Sequence, residues 1–229
     1  MELTPAEWEA LRLSLKVAGV ATLASLPLGI AAGLALARGR FYGRTLLNIL
    51  VHLPLILPPV VTGYILLLLF GRRGPIGQFL ESIGIVLAFN WKGAALAAAV
   101  MGFPLMVRAI RLAAEAVDER LGEAAGTLGA GRIATFVLVT LPLMLPGIIA
   151  GAILGFAKAM GEFGATITFV SNIPGETRTL PTAIYTLLQV PGSEAGVVRL
   201  TVISIVVAVG ALVASELLAV RARKRVTGR

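Results

Sequence analysis

The sequence predicts an all-α integral membrane protein with about five transmembrane helices. Of its 229 residues, 57% are hydrophobic and 14% charged, against roughly 45–50% and 25% in soluble domains. The mean hydropathy is +0.91. A bilayer core about 30 Å thick needs around 20 consecutive apolar helical residues, and several runs reach that length. The net charge is +8, but the basic residues fall between the apolar runs and do not line one face of a polar domain. That pattern points to membrane orientation and away from nucleic acid.

The chain reads as one transmembrane domain, 1–229. Its first span covers residues 17–37. A cleaved signal sequence is opposed by the length of this run and by Glu2, Glu7 and Glu9 ahead of it, where a signal carries a basic leader. The second span covers 46–70, and the third 89–107 with Lys92 placed to snorkel at one end. Residues 83–89 are apolar but too short to cross and read as interfacial. The fourth span covers 143–160 and the fifth 197–220, with a loop at about 112–142 between the third and fourth.

Orientation follows from Lys and Arg. One side holds Arg38, Arg40 and Arg44, then Arg108, Arg111, Arg120 and Arg132, then Arg221, Arg223, Lys224, Arg225 and Arg229. The other side holds fewer, spread over more chain: Arg12, Lys16, Arg72, Arg73, Lys92, Arg178 and Arg199. The C-terminus is therefore expected in the cytoplasm and the N-terminus outside, although Arg72 and Arg73 run against the trend.

Three features inside the membrane carry chemistry. Small residues at four-residue spacing, Gly29/Gly33 and Gly147/Gly151/Gly155, allow close helix approach, either within one bundle or between two copies. Pro58 and Pro59 each remove a donor and clash with the carbonyl four residues back, on Pro54 and Leu55, so a kink is expected. Freed carbonyls persist in hydrocarbon only against protein or a water-filled path, and the kink fits either a translocation path or a structural bend. Lys158 and Glu162 are spaced to meet on one helical face. They form either a functional intramembrane pair or an ion pair snorkelling at a helix end. Gly161 and Gly164 mark where regular helix stops.

The loop before the fourth span has its own helix. Val117, Leu121, Ala124 and Leu128 recur at helical spacing beside Asp118, Glu119, Arg120 and Glu123, and Gly129 stands where a left-handed turn ends a helix. Such a helix suits a partner's groove, or lies along its own bundle or the lipid surface.

These residues carry a resemblance. Glu123-Ala124-Ala125, three residues, Gly129, nine residues, then Val139-Thr140-Leu141-Pro142 resembles the EAA motif of ABC-importer membrane subunits, with Val139 where isoleucine is commoner. The segments HLPLILPPVVTGY at 52–64, GFPLMVRAIR at 102–111 and GEFGATITFVSNIPGETRTLP at 161–181 are similar to the molybdate permease subunit family. Sulfate permeases share Gly-Glu-Phe-Gly and usually diverge after it.

The resemblance implies a type I importer (MetI-like) core in a bacterial cytoplasmic membrane. Two identical permease chains would form the path, ABC ATP-binding subunits would dock beneath, and an extracytoplasmic molybdate-binding protein would deliver the substrate. It assigns Glu123, Ala124, Ala125, Gly129, Leu141 and Pro142 to ATPase coupling: Glu123 to hold the docking helix, the alanines to allow close approach, Gly129 to make the turn. Candidate path or gate residues are Pro58, Pro59, Thr62, Glu162, Thr166 and Thr168. Hydroxyls and kinked backbone suit an oxyanion that must also leave, more than a ring of arginines does.

Residue chemistry agrees with a transport subunit that is not an enzyme. There is no Cys and one histidine, His52, so no thiolate nucleophile and no multi-histidine metal centre is available. The chain lacks a Gly-x-x-x-x-Gly-Lys-Ser/Thr phosphate loop, so no cofactor is expected here and ATP with Mg belongs to the partner. A channel or secondary carrier predicts ion-coupling carboxylates at membrane depth, where only Glu162 is a clear candidate. A permease for sulfate or tungstate remains the near alternative.

Overall fold

A computed structural model describes residues 3–227, and these are all-helical. Glu2 and Arg229, used in the charge pattern above, lie outside the described residues, as do the side chains of Arg223, Lys224 and Arg225.

Helix α1 (Pro5–Arg38) starts well before the expected span at 17. A capping box explains the start: the Thr4 N–H donates to Glu7 Oε2 at 2.8 Å and the Glu7 N–H to Thr4 Oγ1 at 3.3 Å. Pro5 follows at a position whose missing N–H costs nothing.

The expected single span 46–70 is instead two helices. α2 (Arg44–Ile56) and α3 (Pro59–Phe70) meet at 116°. Pro58 and Pro59 cannot donate to the carbonyls of Pro54 and Leu55, and a residue before proline is pushed out of the helical region. Leu57 accordingly has φ −71° and ψ 142°. The sequence reading anticipated the kink but not a reversal of more than a right angle.

Helix α4 (Pro75–Ser82) was not foreseen, and the apolar stretch at 83–89 is non-helical chain leading into α5 (Trp91–Glu115). Asn90 caps α5 by accepting the Lys92 N–H at 3.0 Å. α6 (Glu119–Thr127) follows an Asp118 cap. α7 (Arg132–Thr135), a π turn at Phe136–Thr140 and α8 (Leu141–Met160) form one helix of 29 residues, so the fourth span begins earlier than 143. The remaining helices are α9 (Gly164–Val170), α10 (Leu180–Leu188) and α11 (Glu194–Thr227).

Helix α5 is the centre of the bundle. α1 runs parallel to it, with Gly29 against Met106 and Gly33 against Ile110, while α8 runs antiparallel, with Gly147 against Ala113 and Gly155 against Met106. The predicted glycine seams therefore lie within one chain at these contacts. The two ends of the bundle are distinct. At one, Glu7 Oε1 accepts from Arg199 Nη2 at 2.8 Å and Lys16 lies 3.6 Å above the Trp91 ring. At the other, Arg38 Nη2 donates to the carbonyls of Ala114 and Val117, next to α6.

A Cβ on Gly151 would sit 2.9 Å from the Met106 carbonyl oxygen, which is backbone and cannot retreat cheaply. Gly151→Leu is expected to destabilise the fold by roughly 1–3 kcal/mol through overpacking. A lowered thermal midpoint of the purified protein in detergent checks this.

Candidate functional site

Two breaks in the membrane helices come together. α8 ends at Met160, and Glu162, only 3% exposed, takes over the backbone. Its Oε1 accepts the Ala165 N–H at 3.0 Å, which caps the first turn of α9, and its Oε2 pairs with Lys158 Nζ at 2.8 Å. α9 then crosses α3, the second half of the proline-broken helix. Pro59 Cβ lies 2.7 Å from where a Cβ on Gly164 would stand, and Ala165 Cα 2.8 Å from the same point on Gly63. Only glycine permits that approach.

The crossing gathers the sequence-predicted candidates. Pro58 and Pro59 are exposed at the bend, Thr62 and Thr166 are buried, and Thr168 is half-buried with its hydroxyl donating to the Gly164 carbonyl at 2.9 Å. The Thr62 hydroxyl is buried without a hydrogen-bond partner. Lys158 is part of this group, with 30% of its side chain exposed. Phe163 packs its ring 5.0 Å from that of Tyr185, tying the break to α10.

The second site lies at the opposite end, on α6. Glu123 and Ala124 are exposed and Ala125 is half-buried. The helix ends in a Schellman arrangement: Ala130 N–H donates to the Ala125 carbonyl and Gly129 N–H to that of Gly126, both at 3.0 Å. Gly129 has φ +85° and nothing within 4 Å of a built Cβ, so backbone conformation alone demands glycine there. Leu128 and Ile133 flank it, 89% and 81% exposed. Among the described residues Glu123 joins no ion pair. It lines a cavity of 560 Å³ with Arg38, Glu115, Asp118, Glu119 and Arg120. Leu141 and Pro142 are half-buried further along, in the first turn of α8 after the π turn.

Sequence reasoning missed a polar knot at the end of the bundle away from α6. Ser171 has φ +65° and ψ −157°, a conformation reserved almost entirely for glycine. Buried Thr177 accepts the Ile173 N–H at 2.8 Å, and Arg178 Nε donates to Asn172 Oδ1 at 3.0 Å. No periodicity marks such a loop; the run of Ser, Asn, Gly and Thr is the only signal.

A lipid-length bundle whose two broken helices cross at depth, with an exposed helix at one end, defines a membrane subunit built to work with other proteins. The chain belongs to the family described as binding-protein-dependent transport system inner membrane component, whose model matches residues 25–224. It is 60% identical over 226 residues to the molybdenum transport system permease protein of Escherichia coli K12, covering 98% of this chain and 99% of that one. It is 51% identical over 220 residues to the same-named protein of Haemophilus influenzae, covering 96% of each. The fold is similar to that of a bacterial ABC transporter importing alginate, with TM-score 0.71 at 20% identity over 98% of this chain and 81% of that one. An amino acid ABC transporter gives TM-score 0.65 at 17% identity over 96% and 100%. The predicted all-α importer fold is thereby confirmed, and the protein is a multi-pass component of the inner membrane.

Glu162→Ala removes both the cap on α9 and the partner of Lys158, whereas Glu162→Gln keeps an oxygen for the Ala165 N–H. The alanine variant is expected to lose roughly 1–3 kcal/mol and the glutamine variant less. Thermal melts of the two purified variants, compared with wild type, check the order.

Proposed function

We propose that this chain is the permease subunit of an ATP-driven importer of molybdate, working as a homodimer with ABC ATP-binding subunits and an extracytoplasmic molybdate-binding protein. The observation that carries the reading is 60% identity to a molybdenum transport permease across 98% of the chain. The α3–α9 crossing supports it physically. It presents hydroxyls, broken backbone and a neutralised Lys158–Glu162 pair to a doubly charged oxyanion, which suits passage better than retention.

The end bearing α6 faces the cytoplasm and the N-terminus lies outside, as the Lys and Arg distribution favours. Glu123, Ala124, Ala125 and Gly129 form the surface that enters the ATPase, with Leu141 and Pro142 linking it to α8. Exposure of Leu128 and Ile133 supports a covered position in the assembly. Movement of α6 by ATP-driven closure passes into α8 through the continuous helix from Arg132, and alternating access follows at the α3–α9 crossing. A second copy closes the apolar groove left open between α1, α2 and α5.

Uptake of labelled molybdate by cells expressing the whole importer tests the reading. Uptake is expected to persist under excess sulfate, and equal suppression by sulfate would move the substrate to oxyanions in general. Gly129→Asp places a side chain at φ +85° and a charge on the docking surface. It is expected to abolish uptake with membrane insertion unchanged, measured by immunoblot of the membrane fraction; undiminished uptake would remove ATPase coupling from α6.

A further inference from the structure

We propose that Arg108 is a transient oxyanion contact on the cytoplasmic half of the route, receiving substrate after it passes the α3–α9 crossing. The inference rests on the molybdate-import reading above.

The geometry of α5 singles this residue out. Its flanks are occupied by α1 at Met106 and Ile110, by α8 at Ala109 and Ala113, and by α2, where Val107 packs in one cluster with Val51. Arg108 and Leu112 fall on the remaining face, between the α2 and α8 flanks, and both are exposed. The crossing packs on α5 nearer its start, where Ala165, Phe169 and Val170 share a core with Ala94, Ala97, Ala98 and Met101. Arg108 lies seven residues beyond Met101, about 10 Å along the axis, toward the end that carries α6.

The charges make the same distinction. Lys158 is paired with Glu162, Arg199 with Glu7, and Arg111 with Glu115 at 2.8 Å and with Asn48 at 3.3 Å. Among the described residues Arg108 has no carboxylate within ion-pairing distance. Arg108 stands just beyond the expected span 89–107, on a face that also carries exposed Leu112 and Glu115, where its guanidinium is open to an anion leaving toward the α6 end. His52 stands on α2 one turn beyond Asn48, the residue that meets Arg111. Its Nδ1 donates to the Asn48 carbonyl at 2.8 Å. Arg111, one turn on, is engaged by Glu115 and Asn48, and Arg44 by the Leu36 carbonyl, which among the described residues leaves Arg108 as the cation open on this face of α5. Its planar fork matches two oxygens of a tetrahedral oxyanion, and a single such contact releases what it holds.

The test is transport by the whole importer in proteoliposomes, with permease, ATPase and loaded binding protein. Arg108→Gln is expected to lower molybdate carried per ATP hydrolysed about tenfold or more, with ATPase stimulation by the binding protein retained. Arg108→Lys, which keeps charge but loses the fork, should fall between. Wild-type yield from either variant overturns the inference. So does an equal loss in the wild-type importer when anionic lipids are omitted, which would make Arg108 a lipid anchor. A wild-type importer that carries no molybdate overturns the substrate reading and this inference with it, whereas molybdate transport with Arg108→Gln unimpaired overturns this inference alone.

Discussion

Every backbone polar group at membrane depth must find a partner inside the protein, and the architecture depends on how that constraint is met at two helix breaks. Pro58 and Pro59 strip donors from α2, and Gly161 ends α8 in mid-bundle. Neither break would survive in lipid alone. They survive together because α3 and α9 cover one another at Gly63 and Gly164, and because the Glu162 carboxylate supplies the acceptor that the start of α9 lacks. The same carboxylate neutralises Lys158, so one buried side chain satisfies both a backbone end and a charge.

The surrounding bundle is rigid where the crossing is irregular. α1 and α8 clasp α5 through glycines on adjacent flanks that share Met106 and Ile110, and the fold is tied at the end away from α6 by Glu7–Arg199 and by the Leu180 N–H, which donates to Ser14 Oγ at 2.7 Å. At the other end the continuous helix from Arg132 to Met160 joins the exposed α6 region to the break at Gly161. The π turn at Phe136–Thr140 lies between them, and such turns concentrate at functional positions. A displacement of α6 thus has a direct mechanical route to the crossing.

Charge is distributed by the same logic. Cations near membrane depth are mostly compensated within the chain, which keeps a dianion from being trapped. Thr62 lies on α3 and Thr166 and Thr168 on α9, so the two helices of the crossing carry hydroxyls at their contact region. Arg108 has no carboxylate partner among the described residues and lies toward the end that bears α6. One contact of that kind attracts an anion without holding it.

Much was legible in the sequence because it is written locally. Apolar run length marks spans, Pro58-Pro59 marks a break, and Gly129 marks a left-handed helix end, since each follows from a residue's own backbone chemistry and its near neighbours. Short helices α4, α9 and α10 escaped because their periods are too brief to stand out from apolar surroundings. The sequence by itself determined the membrane class, the positions of the breaks and the segment that resembles the EAA motif. Only the tertiary structure decided that the two breaks meet, that α3 folds back at 116°, that Glu7 pairs with Arg199, and that Arg108 has no carboxylate partner among the described residues. Those facts join residues tens to nearly two hundred positions apart, and contact between distant segments is set by how whole helices pack, which no local pattern of residues encodes.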